Sequence, residues 1–280
     1  MRRCLLLALP LLAACAADPD AELPLELTFD GLPALSQGAY GAWLYDADGE
    51  ATYAGGFTDG SDVVLDAPIE SLDDFVDVEV TVEASLVPEA PSAAVVLSGA
   101  LAGDEADLAF AFDSEAFGGQ ATLWSPTDDE PDNANQGVWF MVGDGQGGAT
   151  PTLELPTLPA GWKLQGWVTT QGVRLTAGRF ELADEADSSC QFCGAGEIPT
   201  VPGEDFVTNL PTGIVDDVDL ADGATTVVVS LSPDIYDFDP TGESIFDVAL
   251  LTLSVPAGQA AAVGMDLTPT GADITGSLGL

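Results

Sequence analysis

The sequence contains no histidine and only five lysines and arginines among its 280 residues, against 47 aspartates and glutamates. Without histidine, the usual general base for nucleophilic catalysis is missing. The few cations leave a formal net charge of −42. Such a polyanion repels phosphate backbones, and nucleic-acid binding requires clustered lysines and arginines. The composition therefore excludes a nucleic-acid partner, and we expect no catalytic residue.

An apolar run near the N-terminus has about half of the ~20 residues that a membrane-spanning helix needs. It follows two arginines and ends in small residues, which is the pattern of an export signal. The segment Leu12–Cys15 resembles a bacterial lipobox, and this resemblance implies cleavage before Cys15 and lipid on its sulfur. We therefore predict a signal peptide over 1–14 and a lipidated tether over 15–24. A signal peptide without lipid is the alternative.

The predicted partner of this lipid is a membrane outside the cytoplasm. Anionic lipid surfaces repel so acidic a chain, so the lipid on Cys15 must provide the anchor. Because residue 16 is alanine rather than aspartate, the usual Gram-negative sorting rule indicates the outer membrane. The acidity itself has two interpretations, a cation-binding surface or a solvated coat that keeps an exported protein soluble.

Two further cysteines, Cys190 and Cys193, form a C-x-x-C sequence. A thioredoxin-like site is expected beside a βαβ unit, and no such pattern is present. A structural zinc ion needs four ligands, and the chain has neither a histidine nor another available thiol. In an oxidising compartment we therefore predict a disulfide between these cysteines, with redox chemistry or metal binding as alternatives.

Strand periodicity dominates the rest of the chain. Val76–Glu83 alternates apolar and polar residues, which is typical of a strand with one buried and one wet face. Leu25–Phe29 repeats this alternation. Denser apolar runs, typical of strands buried on both faces, occur at 93–97, 138–142, 227–231 and 248–253. The short-helix candidates are Ser71–Phe75 and Glu204–Leu210, so we predict an all-β, sandwich-like chain.

One pattern of leucine, proline, glycine and aromatic residues occurs twice. The first copy reads Leu32-Pro33, Gly38, Tyr40, Trp43, Gly56 and Phe57, and the second reads Leu158-Pro159, Gly161, Leu164, Trp167, Gly178 and Phe180. Each copy continues into a strand, with Val80–Glu83 matched to Val228–Leu231. Two copies of one β unit are the economical interpretation. We predict two tandem antiparallel β-sandwich domains, over 25–108 and 109–280.

The string Gly31–Leu44, the turn Gly55–Phe57 and the strand Val80–Glu83 together resemble the C-terminal extracytoplasmic domain of anti-sigma-K factors. The second copy matches this pattern more loosely. The resemblance implies a β architecture in a cell-envelope setting. Such regulators also carry an intracellular sigma-binding module and a transmembrane helix. This sequence shows neither pattern, so we do not expect sigma-factor binding.

An acidic loop is the strongest metal candidate, with calcium as the ion. Hard cations bind six to eight oxygen atoms, and loops between strands can supply them. The alternative is a solvated loop, which so acidic a chain would contain in any case. The candidate ligands are Asp128, Asp129, Asp132, Asn133 and Asn135. We expect no other cofactor.

Aromatic and basic side chains have both structural and binding interpretations. The large aromatics could line a carbohydrate or peptide platform, but we expect the set in the core, with Trp162, which lies at a turn, as the candidate for exposure; the set is Tyr40, Trp43, Trp124, Trp139, Trp162 and Trp167. The three cations beyond the signal peptide, Lys163, Arg174 and Arg179, are expected to pair with neighbouring acids.

The predicted function is that of a non-catalytic lipoprotein of the bacterial cell envelope, with a binding or structural role towards an envelope protein, a glycan or a cation. One alternative is an envelope-sensing accessory of an anti-sigma-like regulatory system. The other is a carboxylate-dependent hydrolase, which requires two converging acids in a cleft.

Overall fold

The computed structural model describes residues 22–128, 134–143, 148–188, 190–214, 217–236 and 243–280. The predicted lipidation site, Cys15, and the candidate ligands Asp129, Asp132 and Asn133 lie outside these residues. Over the described residues the chain is all-β, as predicted, with one short 3₁₀ helix at Ser114–Ala116. The strands are β1 (Leu23–Asp30), β2 (Ala39–Asp46), β3 (Ala51–Phe57), β4 (Asp62–Ala67), β5 (Phe75–Glu83), β6 (Val95–Ala100), β7 (Ala106–Phe110), β8 (Gln120–Leu123), β9 (Gly137–Trp139), β10 (Met141–Gly143), β11 (Ala149–Pro151), β12 (Trp162–Thr170), β13 (Val173–Phe180), β14 (Gly203–Asp205), β15 (Thr226–Pro233), β16 (Ala249–Ser254), β17 (Met265–Asp266), β18 (Thr268–Pro269) and β19 (Thr275–Gly279).

The first sheet has eight antiparallel strands in the order β3-β2-β5-β6-β7-β19-β1-β4. In β1, every second residue from Leu25 to Phe29 is buried and the residues between them are exposed, as the alternation predicts. The ring of Phe29 stacks on Phe57 of β3 at 5.3 Å. Because β3 is the far edge of this sheet, the contact shows that the sheet curls over its own apolar face.

The alternation predicted for Val76–Glu83 holds only in the middle of β5: Val76 at its start is exposed, and Val80–Glu83 at its end is buried on both faces. Thr81 and Glu83, on the face expected to be wet, have exposed fractions of 0 and 3%. The indole Nε1 of Trp43 in β2 donates to Thr81 Oγ1 at 3.1 Å and to Glu83 Oε1 at 3.2 Å. A cross-strand indole therefore buries polar side chains that sequence alternation assigns to solvent.

The division into domains over 25–108 and 109–280 differs from the strand pairing. Its boundary falls within β7, and β19 at the end of the chain pairs with both β7 and β1 of the first sheet. Leu278 of β19 is buried there. The physical reason is that β1 and β7 each need a hydrogen-bonding partner, and β19 supplies it to both.

The second half of the chain forms a five-stranded sheet, β13-β12-β15-β16-β18, a four-stranded sheet, β14-β9-β8-β17, and the pair β10-β11. Trp162, the candidate for exposure among the large aromatics, is buried, with 2% of its surface exposed. Its ring packs edge-on against Phe112 and Phe246, each at 5.2 Å, and Nε1 donates to the Val95 carbonyl of β6 at 3.0 Å. One continuous apolar core therefore joins the first and second halves.

The internal repeat corresponds to two four-stranded units with the same strand order, β3-β2-β5-β6 and β13-β12-β15-β16. Trp43 and Trp167 occupy equivalent positions, and the residue two before each pairs with Thr81 or Ser230. Nε1 of Trp167 donates to Ser230 Oγ at 2.9 Å, as that of Trp43 does to Thr81. Thr81 thus corresponds to Ser230, one residue later than the sequence match to Val229.

Neither short-helix candidate forms a helix. Ser71–Phe75 leads through a turn into β5, and Glu204–Leu210 begins in β14 and continues as a loop. Glu204 and Asp205 are fully buried on opposite faces of β14, where each is engaged by a different part of the chain. Among the described residues, no helix has the length and apolar character needed to cross a bilayer.

Candidate functional site

The candidate site is built around residues 190–196, here named the cysteine loop. The structure joins Cys190 and Cys193 in a disulfide, with 5.2 Å between their Cα atoms. This is the pairing favoured among the three alternatives for the C-x-x-C sequence. Both cysteines are partly buried. The loop lies against β14, which the sequence did not predict as a strand.

The carboxyl group of Glu204, on β14, accepts hydrogen bonds from the backbone of the cysteine loop. The backbone N–H groups of Gln191 and Phe192 donate to its carboxyl oxygens at 3.0 and 3.1 Å. Oε1 lies 2.9 Å from Sγ of Cys193. Burial, and next the charge of Asp187, raise the pKa of Glu204 to about 9, although the two backbone donors act in the opposite direction. Glu204 is therefore protonated at neutral pH, and its hydroxyl group can face the sulfur.

Thr127 holds the other end of the cysteine loop. Its hydroxyl oxygen accepts from the Gly194 N–H at 2.8 Å, and its carbonyl oxygen accepts from the Gly196 N–H at 2.8 Å. A Cβ atom at Gly194 would lie 2.2 Å from that carbonyl oxygen, and one at Gly196 would lie 2.8 Å from the Thr127 Cα. Both glycines are therefore required by this close backbone approach.

The residues that follow β14 donate three further hydrogen bonds to the cysteine loop. The N–H groups of Val207 and Thr208 donate to the Phe192 carbonyl at 3.0 and 2.9 Å. The Thr208 hydroxyl donates to the Cys193 carbonyl at 2.7 Å. Phe192 is itself buried against Phe206. The loop is thus fixed by contacts that do not pass through the disulfide.

Asp205 lies buried on the opposite face of β14 and is linked to the cysteine loop through the Thr127 hydroxyl. Its carboxylate accepts from the Thr127 N–H and from Trp139 Nε1, each at 2.7 Å, and from the Thr127 hydroxyl. Burial raises its pKa, and these donors oppose the rise. Because neighbouring residues on a strand point to opposite faces, the carboxyl groups of Glu204 and Asp205 diverge. They do not form the converging pair that a carboxylate-dependent hydrolase needs.

The predicted calcium ligands are only partly within the described residues. Asp128 donates its backbone N–H to the Ser125 carbonyl at 3.4 Å, and the Asn135 side chain donates to Asp219 Oδ1 at 3.4 Å. The calcium site stays a prediction. In the described part of the chain, the group with metal-ligand spacing is instead Cys190, Cys193 and Glu204, whose ligand atoms lie within 4.8 Å of one another. Metals bind the thiolate form of cysteine, which a disulfide does not offer.

The three cations that follow Cys15 in the sequence, Lys163, Arg174 and Arg179, all pair with acids, as expected. Asp234 Oδ1 lies 3.2 Å from Lys163 Nζ and 3.3 Å from Arg179 Nη2. Arg174 pairs with Asp247 at 2.9 Å, and its guanidinium lies 4.2 Å from the Trp167 ring centre. Arg179 is buried, and its further donors reach the Ser232 hydroxyl and the carbonyls of 233 and 236. These cations therefore compensate a few local acids and leave the rest of the acidic surface unneutralised.

A groove of about 360 Å³ lies beside these paired cations. The second copy of the repeated pattern, from Leu158 to Trp162, forms one wall, and Leu182 and Asp234 lie on the other side. Leu182 is half exposed. The volume lies within the range of small-ligand sites, so the groove can accept a small molecule or the side chains of a partner.

The buried acids of β14 are the residues of the candidate site that the sequence did not indicate. Nothing in the local pattern distinguishes Glu204 or Asp205 from the rest of the 47 acids. The contact between Phe192 and Phe206, which joins the cysteine loop to the end of β14, is visible only in the structure.

Comparison with known proteins gives no match: no protein-family model, curated protein or solved structure is similar to this chain. The resemblance to anti-sigma-K factors therefore stays a prediction.

Proposed function

We infer that this protein is a lipid-anchored component of the bacterial cell envelope that acts by binding a partner. The lipobox ending at Cys15 supports the location. The disulfide between Cys190 and Cys193 supports it further, because disulfides persist in oxidising compartments outside the cytoplasm.

The groove between the second repeat pattern and Leu182 is the observation that carries a binding role. It is lined by apolar residues together with Glu181 and Asp234, both of which pair with Lys163, and a site that combines apolar contact with a few placed polar groups can bind and orient a ligand. The divergence of Glu204 and Asp205 favours binding over hydrolysis. The acidic surface favours a partner with a basic segment, since complementary charge accelerates and selects encounters.

The location is tested by metabolic labelling with an alkyne fatty acid. We expect the label on the wild-type protein and its loss in Cys15→Ala, together with release of the variant from the membrane fraction. Cys4→Ala is the matched control, because Cys4 lies within the predicted signal peptide and leaves with it. A label that persists in Cys15→Ala, or a mature chain that retains residues 1–14, would refute the anchor.

The binding role is tested by placing a photo-crosslinking amino acid at position 182 in intact cells. Leu182 lies on the groove and is half exposed, whereas Val64 of β4 is 64% exposed and is not among the residues that line it. We expect crosslinks to an extracytoplasmic protein with a basic segment from position 182 but not from 64. Equal crosslinking from both positions, or none from 182, would contradict the groove as the binding site.

A further inference from the structure

We propose that the Cys190–Cys193 disulfide exchanges with external thiols, and that Glu204 delivers the proton that the Cys193 sulfur takes up when the disulfide opens. This chemistry goes beyond the binding role and does not depend on it. The geometry comes from two elements: the cysteine loop carries the sulfurs, and β14 carries the carboxyl group that lies 2.9 Å from one of them.

The presence of a glutamate at position 204 supports its role as a proton donor. Two backbone N–H groups donate to it, one to each carboxyl oxygen, so the position needs two acceptor oxygens. The charged form is costly there, because the site is fully buried and the acids Asp187 and Asp205 act on it electrostatically. The neutral carboxyl group keeps both oxygens and adds, beside a sulfur, an exchangeable proton. The raised pKa keeps that proton in place at neutral pH.

The cysteine loop is held in place by contacts other than its disulfide, which supports reversible opening of the S–S bond. Glu204, Thr127 and Thr208 hold the loop through hydrogen bonds to its backbone. Opening the S–S bond therefore leaves both sulfurs in position for closure. Neither cysteine is fully buried, so a small thiol can reach Cys190 while Cys193 faces Glu204.

The exchange proceeds in two steps. The thiolate of an external thiol attacks Sγ of Cys190 and forms a mixed disulfide; the Cys190–Cys193 bond breaks, and its electron pair goes to Sγ of Cys193. Glu204 transfers its proton to that sulfur and becomes a carboxylate. A second external thiolate then attacks the external sulfur of the mixed disulfide, which releases Cys190 as a thiolate. Two external thiols are oxidised to one disulfide, both cysteines are reduced to thiols, and solvent protons restore Cys190 and Glu204.

The experiment follows reduction of the folded, oxidised mature protein by excess 2-mercaptoethanol, with the released thiols trapped by a maleimide and counted by mass spectrometry. Each rate is divided by the thiolate fraction of the reductant, and 0.5 M NaCl screens surface charge. We expect the normalised wild-type rate to fall about tenfold between pH 7 and 10, because about a tenth of a group with a pKa of about 9 keeps its proton at pH 10. Glu204→Gln should be slower at pH 7 and flat across this range.

Glu197→Gln is the matched control, because Glu197 is an exposed acid close to the cysteine loop; it should follow the wild type. Circular dichroism at each pH establishes that every variant is folded. A flat normalised profile in the wild-type protein overturns the proposal without reference to any variant. Reduction that occurs only when urea unfolds the chain also overturns it, because the disulfide would then be purely structural.

Discussion

Replacing Glu204 with glutamine should change how the stability of the fold depends on pH. The pKa of Glu204 is about 9 in the folded protein, against about 4.3 for glutamate in an unfolded chain. Between these values the folded state holds a proton that the unfolded state releases. The contribution of Glu204 to stability is therefore complete below about pH 4 and is lost as the pH rises towards 9, with a slope of about 1.4 kcal/mol per pH unit.

Glutamine has nearly the same shape and no proton to lose, so Glu204→Gln removes this slope. From pH 5.5 to 8.5 the difference in unfolding free energy between the variant and the wild type should move by about 4 kcal/mol in favour of the variant. This is a large part of the 5–15 kcal/mol that stabilises a typical domain. Taking the difference also cancels the repulsion among the remaining acids, which is common to both proteins.

Urea unfolding, followed by tryptophan fluorescence at fixed ionic strength, measures the two free energies at each pH. Trp139 reports on this region, because it lies on β9 beside β14 and its indole donates to Asp205. Glu197→Gln, at an exposed position, should run parallel to the wild type. Parallel curves for Glu204→Gln and the wild type would refute the assignment of a buried, protonated carboxyl group beneath the cysteine loop.

Two further predictions concern the repeat and the acidic loop. Trp43→Phe removes an indole N–H that is shared between Thr81 and buried Glu83 and should cost about 1–3 kcal/mol in urea unfolding, whereas Trp167→Phe removes one bond to the Ser230 hydroxyl and should cost about 1 kcal/mol; equal costs would contradict the larger contribution of the shared donor. If the predicted calcium ligands bind, excess calcium should raise the melting temperature by several degrees over chelator at matched ionic strength, and identical melting curves would contradict the site.

Strand positions were predictable where burial follows local alternation, and not where a distant side chain decides it. In β1 the alternation from Leu25 to Phe29 matches the buried face residue by residue. In β5 the same alternation placed Glu83 in solvent, but the Trp43 indole buries it by donating a hydrogen bond across the sheet. The pattern within one strand carries no information about a side chain that arrives from the next.

The features that the sequence did not predict depend on contacts between distant parts of the chain. The sequence predicted that Cys190 and Cys193 pair with each other, because only two residues separate them and few alternatives exist. It did not predict that β14 lies beneath them, because that contact depends on the packing of Phe192 and Phe206. The position of β19 in the first sheet was equally hidden, since nothing in residues 275–279 distinguishes a strand that pairs locally from one that closes a distant sheet.

In chain order the strands of the two repeat units are β2-β3-β5-β6 and β12-β13-β15-β16. The units differ most in the connection between the second and third of these strands. In the first unit residues 58–74 join β3 to β5, whereas in the second unit the longer segment 181–225 joins β13 to β15 and contains the cysteine loop and β14. The shared strands preserve the bond from the indole to a hydroxyl group in both units, which is a packing requirement. The buried acid, the glycines and the paired cysteines have no counterpart in 58–74. Functional residues are expected in loops that a rigid framework holds in place. Here the duplicated strands form the framework, and the ionisable groups lie in the longer connection. Binding specificity should therefore be sought in 181–225.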